Sequence, residues 1–161
     1  MNRRHVVSWC LYDFANSSYS AIIQAVIFSA YYSRTIVGNE QGLGDVWWGR
    51  VLSVSMLFVA LSSPYLGGIA DSGGFRKRLW IIYTWLSILA VASFTTLKPG
   101  MVLAGFALAT AANIGMEGAQ VFYNSYLPEI APAGRRGRVS GWGFAVGYGG
   151  SIVALVAALA F

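Results

Sequence analysis

The chain has 161 residues, of which 57% are hydrophobic and 11% are charged, and its net charge at neutral pH is +5. Because soluble domains are about one quarter charged, this composition excludes an ordinary soluble domain and indicates an integral membrane protein. A single cysteine also excludes an internal disulfide framework. The basic residues stand in short clusters between apolar runs, which is typical of topology signals and does not indicate a nucleic-acid partner.

Five apolar segments are long enough to cross a hydrocarbon core of about 30 Å as helices. We therefore predict an all-α membrane domain over residues 1–161, with spans at 9–32, 47–70, 79–97, 101–127 and 139–161. With the N-terminus in the cytoplasm, eight of the 11 Lys and Arg residues lie on the inner side, as the positive-inside rule requires. The last span ends without a polar exit, so we expect the chain to be a fragment of a longer protein.

The first span carries polar side chains at helical spacing on one face. We predict that this face lines a solute cavity, because its glutamine lies too deep in the span for end effects. The alternative for the aspartate is an acid near the cytoplasmic end, where the helix dipole favours it. The predicted cavity residues of this span are Asp13, Asn16, Ser20 and Gln24.

An enzyme interpretation rests on two short motifs. Tyr12–Asp13 and the later sequence Gly-Leu-Gly-Asp45 resemble in residue type the paired motifs of intramembrane aspartyl proteases. Those two carboxyls must share a proton, whereas most of the bilayer separates Asp13 from Asp45 in the predicted topology. The sequence also has no cluster of metal ligands, nucleophile elbow or phosphate-binding loop. We therefore predict that the protein is not an enzyme and has no cofactor and no metal.

The fourth span is apolar but contains amide and acid side chains at steps of four, three and four residues, which places them on one helical face. An ionisable side chain in hydrocarbon costs about 2.5 kcal/mol or more, so this face should meet protein or water. We predict that it lines a solute cavity, and proton coupling through its glutamate is a further hypothesis. Packing specificity is the alternative. The residues are Asn113, Glu117, Gln120 and Asn124.

The fifth span is rich in glycine. Gly143 and Gly147 form a GxxxG pair, which predicts close packing against another helix. A dinucleotide-binding loop is a poorer interpretation, because no strand or βαβ context precedes these glycines.

Between spans two and three the chain reads GGIADSGGFRKRL over residues 67–79. This resembles the signature of the major facilitator superfamily, in which a glycine turn and a basic run anchor a loop on the cytoplasmic side. Ser72 stands where the family usually has arginine, and Phe75 displaces the basic run by one residue. The resemblance implies a cytoplasmic gate loop that comprises Gly67, Asp71, Gly74, Arg76, Lys77 and Arg78.

Residues 9–19, 122–128 and 138–150 resemble the vacuole-effluxer, autophagy-related branch of that superfamily. The resemblance implies the N-terminal part of a twelve-helix secondary transporter that works by alternating access, with a solute site between its two halves. In that fold the first and fourth helices line the central cavity. Fungal members are linked to amino-acid efflux from the vacuole, so amino acids are the candidate solutes.

The expected partners are the lipid bilayer, a small-molecule solute and the missing C-terminal half, and no nucleic acid is expected. We expect a multi-pass protein of the bacterial cell membrane, or of the vacuole in a eukaryote. The alternative function is a non-transporting membrane scaffold or a dimerising subunit that packs through the glycine face of span five.

Overall fold

The computed structural model describes residues 3–160, apart from the side chains of residues 71–73. The described residues form helices joined by short turns and include no strand, so the predicted all-α class is confirmed. In chain order the helices are α1 (Arg3–Tyr19), α2 (Ile27–Tyr31), α3 (Leu43–Gly73), α4 (Arg76–Ala92), α5 (Val102–Ser125), α6 (Leu127–Ile130) and α7 (Arg136–Leu159).

The first helical region departs from α-helical geometry twice. π-helical turns occupy Ser20–Val26, between α1 and α2, and Tyr32–Val37, after α2. The wider turn changes the spacing at which side chains share a face, and such turns are frequent at functional sites. Ser20 and Gln24 lie in the first of these turns, so the α-helical spacing that placed them in line with Asp13 does not hold beyond Tyr19.

Four helical stretches among the described residues are long and apolar enough to cross a membrane. They are Glu40–Ala70, Arg76–Thr96, Val102–Ile130 and Ala133–Leu159. They overlap the second to fifth predicted spans, whereas the first, which contains a π-helical turn, is not among them. The membrane boundaries themselves stay predictions.

The turn between α3 and α4 is shorter than the sequence predicted. Gly74 adopts a left-handed conformation with a φ of 65° directly after α3 ends, as glycine commonly does at a helix C-terminus. Only Gly74 and Phe75 therefore separate the two helices. Asp71, which the sequence placed in the loop, belongs to the last turn of α3, and its side chain lies outside the described residues.

The chain forms two compact units. The first comprises Met1–Phe28 and Tyr123–Phe161, and within it α7 packs along α1. The second comprises Ser29–Phe122 and is built around α5, α3 and α4. Its apolar core joins one residue of α3, one of α4 and two of α5, namely Ala70, Tyr83, Ala119 and Phe122.

Candidate functional site

Small residues of α7 bring it close to α1 in the first unit. A Cβ atom added at Gly143 would lie 3.0 Å from Cη2 of Trp9, and one added at Gly147 would lie 2.6 Å from Oγ of Ser17. One turn further along α7, the Ser151 hydroxyl donates a hydrogen bond to the Ser17 carbonyl at 3.0 Å. Because the contacts advance in the same direction on both helices, α1 and α7 run parallel, and both predicted packing glycines lie between them.

Among the glycines of α7, Gly150 leaves the least room for a side chain against α1. A Cβ atom at this position would collide with the carbonyl group of Phe14 on α1. The Ser18 hydroxyl lies 3.2 Å from the Phe14 carbonyl oxygen and 3.3 Å from the Gly150 carbonyl oxygen, so it can donate to either helix. A larger residue at position 150 would therefore require a shift of the backbone.

Asp13 is buried at the same helix contact, with 8% of its surface exposed. Its Oδ2 atom lies 2.6 Å from the place that a Cβ of residue 147 would take, so the absence of a side chain at Gly147 makes room for the carboxyl. If α1 belongs to a membrane span, as the sequence predicts, an acid at this position indicates a function by default. The other predicted residues of this region, Asn16, Ser20 and Gln24, are half-buried, and their role in a cavity stays a prediction.

Two aromatic residues join α1 to the end of α5 within the first unit. The rings of Trp9 and Tyr123 stack with centroids 4.5 Å apart and 8° between their planes. Trp9 Nε1 donates to the Tyr123 carbonyl at 3.2 Å, and the Tyr123 hydroxyl donates to the Trp9 carbonyl at 3.1 Å. No sequence pattern indicates this pair, because two residues 114 positions apart share no spacing signal.

Asn113 has a partner within the second unit. It is fully buried, and its Nδ2 atom donates to the Ser55 hydroxyl of α3 at 3.4 Å. Ser55 is also fully buried, and its hydroxyl donates to the carbonyl of Val51 at 2.8 Å. This contact ties α5 to α3, so Asn113 is engaged in helix packing in this structure.

The remaining stripe residues of α5 differ in their exposure. Glu117 and Gln120 are half-buried and make contacts of their own, whereas Asn124 is exposed. The side chains of the stripe therefore become more exposed along the helix, from Asn113 at the buried end to Asn124 at the exposed end. The structure places Asn124 in the first unit and the other three in the second.

Sequence reasoning missed Thr110, one turn before Asn113. It is 8% exposed, and its Oγ1 atom has no hydrogen-bond partner among the described residues. The i−3 spacing from Asn113 places it on the stripe, and this is the signal that could have found it.

Another face of α5 packs closely against α4 through glycines. A Cβ at Gly118 would lie 2.9 Å from Cγ of Tyr83, and one at Gly115 would lie 2.7 Å from the Tyr83 carbonyl oxygen. On a helix with 3.6 residues per turn, the mean direction of Gly115 and Gly118 lies about 150° around the axis from that of Asn113 and Glu117. The polar stripe therefore points away from α4.

The predicted gate loop lies at the end of α3 and the start of α4. A Cβ at Gly67 or at Gly74 would meet no atom within 4 Å. Arg76 is half-buried, whereas Lys77 and Arg78 are exposed. The Arg78 guanidinium lies 5.3 Å from the ring centroid of Phe75, a distance that allows a cation–π contact. Phe75, which displaces the basic run relative to the family signature, thus contacts one of the loop's basic side chains.

The chain matches one family model and several known proteins. The family model described as "Vacuole effluxer Atg22 like" matches residues 50–161. YxiO of Bacillus subtilis, an uncharacterized MFS-type transporter, is 30% identical over 155 residues, which are 95% of this chain and 36% of YxiO. Multidrug resistance protein MdtG of Erwinia billingiae is 27% identical over 143 residues, which are 84% of this chain and 31% of MdtG.

A fungal relative matches a shorter part. Autophagy-related protein 22 of Neurospora crassa is 33% identical over 76 residues, which are 47% of this chain and 10% of that protein. The matches therefore cover 36%, 31% and 10% of the lengths of YxiO, MdtG and the fungal protein. No solved structure matches it significantly.

Proposed function

The chain belongs to the Atg22-like vacuole effluxer family, and we propose that it forms part of a secondary active transporter that moves small solutes by alternating access. Its fold is that of a fragment of a major-facilitator-type helical bundle, and it is a multi-pass membrane protein. The solute, the mechanism and the orientation with a cytoplasmic N-terminus are parts of the proposal.

The observation that carries the proposal is the buried carboxyl of Asp13. A membrane helix accommodates an acid at a cost of about 2.5 kcal/mol or more, and such acids are commonly found on solute or ion pathways. Here a glycine on the neighbouring helix makes room for it. The parallel course of α1 and α7 supports the proposed topology, in which the first and fifth spans cross the membrane in the same direction.

We propose that polar residues of the first helical region and of α5 line the solute pathway. Asn113 has a second role, because its amide already bonds Ser55. Proton coupling is assigned to Glu117 as a hypothesis of its own, since it is the acid of the α5 stripe. The proposed pathway residues are Asp13, Asn16, Ser20, Gln24, Asn113, Glu117, Gln120 and Asn124.

The test is solute counterflow in proteoliposomes that contain the protein expressed from its complete reading frame. A panel of radiolabelled amino acids forms one arm, and a lipophilic cationic dye forms the other, because one relative is named a multidrug resistance protein. We expect saturable exchange of at least one amino acid. Absence of exchange in both arms by a monodisperse, folded protein would contradict the proposal.

Proton coupling has a separate test in the same vesicles. If Glu117 exchanges the proton, Glu117→Gln retains counterflow but loses uptake driven by a pH gradient. The matched control is Glu129→Gln, which alters an exposed acid of α6. Full pH-driven uptake by Glu117→Gln would exclude this role while leaving the transporter proposal intact.

The scaffold alternative relies on the glycine face of α7. In this structure Gly143, Gly147 and Gly150 pack against α1 of the same chain. That face is therefore occupied without a second copy or a partner protein, and no observation favours the scaffold over the transporter.

A further inference from the structure

A groove of 590 Å³ runs along the first turns of α1 and α7 in the first unit. Two arginines line it, Arg3 at the first position of α1 and Arg135 immediately before α7. Because the two helices run parallel, these arginines stand at the same end of the groove. The remaining lining residues, Val6, Val7, Cys10, Leu11, Trp142 and Val146, have apolar side chains.

The charge at the arginine end of the groove is uncompensated by its own wall. None of the described residues that line the groove is acidic. Three further arginines, Arg4, Arg136 and Arg138, follow within the first turn of the same two helices. The groove therefore joins a basic end to an apolar wall, and the molecule that it fits has an anionic head and a hydrocarbon tail.

We propose that this groove binds an anionic phospholipid, whose phosphate lies between Arg3 and Arg135 and whose acyl chain follows the apolar wall. Basic pockets at the ends of membrane helices recognise anionic headgroups in this way. The wall is open at Val7 and Leu11, which are 56% and 59% exposed, so a chain can enter from the bilayer.

The lengths along the helix agree with this placement. From Arg3 to Leu11 the helix rises eight residues, or about 12 Å, from the headgroup level into the hydrocarbon. Trp142, on the opposite wall, has the amphipathic ring that is enriched at membrane interfaces. The inference does not depend on transport, and it requires only that the protein lies in a membrane.

The experiment measures lipid binding to the detergent-purified complete protein by native mass spectrometry. The probe is dioleoylphosphatidylglycerol, and dioleoylphosphatidylcholine is the zwitterionic reference. We compare Arg3→Gln/Arg135→Gln with Arg4→Gln/Arg138→Gln, which removes the same charge from the same two helices but leaves the groove lining intact.

We expect the groove variant to bind phosphatidylglycerol about 30-fold more weakly, because each arginine near an anionic lipid contributes a factor of about five. The control variant should change binding by less than about fivefold, since its arginines lie outside the groove. Leu11→Trp places a larger side chain in the groove at its apolar wall while both groove arginines remain, and it should also weaken lipid binding. This variant keeps the test decisive if the loss of both arginines impairs folding.

Three results would overturn the inference. The first is equal loss of binding in the two double variants, which would indicate general surface attraction. The second is unchanged binding in both double variants, as expected if another part of the complete protein covers the groove. The third is equal affinity for phosphatidylcholine and phosphatidylglycerol, which would show that the arginines do not select the headgroup.

Discussion

The α1–α7 contact and the α3–α5 contact join helices by different means. At the first, glycines of α7 let the backbone of α1 come so close that a Cβ at Gly150 would strike the Phe14 carbonyl. At the second, side chains meet across the interface, and Asn113 donates to Ser55. The first contact therefore depends on the absence of side-chain atoms and the second on their presence, so the two should respond oppositely to added and removed side-chain atoms.

The largest effect is expected for Gly150→Ala, because the added Cβ meets backbone atoms that cannot rotate away. We expect a loss of about 3 kcal/mol in the free energy of unfolding, at the upper end of the range for overpacking. The measurement is SDS-induced unfolding of the detergent-solubilised protein, followed by tryptophan fluorescence. Gly149→Ala is the matched control, since a Cβ there meets nothing within 4 Å. Equal stability of the two variants would contradict the close approach.

A smaller effect is expected for Gly147→Ala. Its Cβ would lie 2.6 Å from the side-chain oxygens of Asp13 and Ser17, which can move. We expect a loss of about 1–2 kcal/mol, measured in the same way. Adding Ser17→Ala should restore part of it, because the mutation removes one colliding atom. A double variant no more stable than Gly147→Ala would show that Ser17 is not the obstacle.

The smallest effect is expected at the α3–α5 contact, which depends on side-chain atoms that meet across the interface. Asn113→Ala should cost about 1 kcal/mol, as buried hydrogen bonds between membrane helices contribute little. A double-mutant cycle with Ser55→Ala measures the coupling between the two side chains, and we expect about 0.6 kcal/mol. Asn124→Ala, at an exposed position, is the control and should change stability by less than about 0.5 kcal/mol. A coupling of zero would remove Asn113–Ser55 as a link between α3 and α5.

Much of the fold follows from the sequence because each apolar run is long enough to specify a helix. The GxxxG spacing of Gly143 and Gly147 indicated close packing, but the partner lay 134 residues away at Trp9 and no pattern encodes that register. The π-helical turn at Ser20–Val26 was also missed, since helical-face arguments assume one constant period.

The candidate site was less predictable than the helices. Periodicity placed Asn113 on a polar stripe but could not show that Ser55 engages its amide, because that contact joins two helices. Thr110 shares the stripe, and its Oγ1 atom has no hydrogen-bond partner among the described residues, although a threonine hydroxyl in a helix commonly bonds its own backbone. Local spacing identifies which residues share a helix face, whereas the groups that this face contacts depend on tertiary packing.

The proposal that Glu117 faces water on a solute pathway is tested most directly by thiol labelling. Glu117→Cys and Ile82→Cys would each be placed in the complete protein with its native cysteines replaced, and treated in membranes with a water-soluble thiol reagent. Ile82 is an exposed apolar residue of α4 and serves as the lipid-facing reference. We predict that Glu117→Cys reacts at least about tenfold faster, because the thiolate forms only where water reaches it. Equal, slow labelling at both positions would contradict a water-filled pathway along α5.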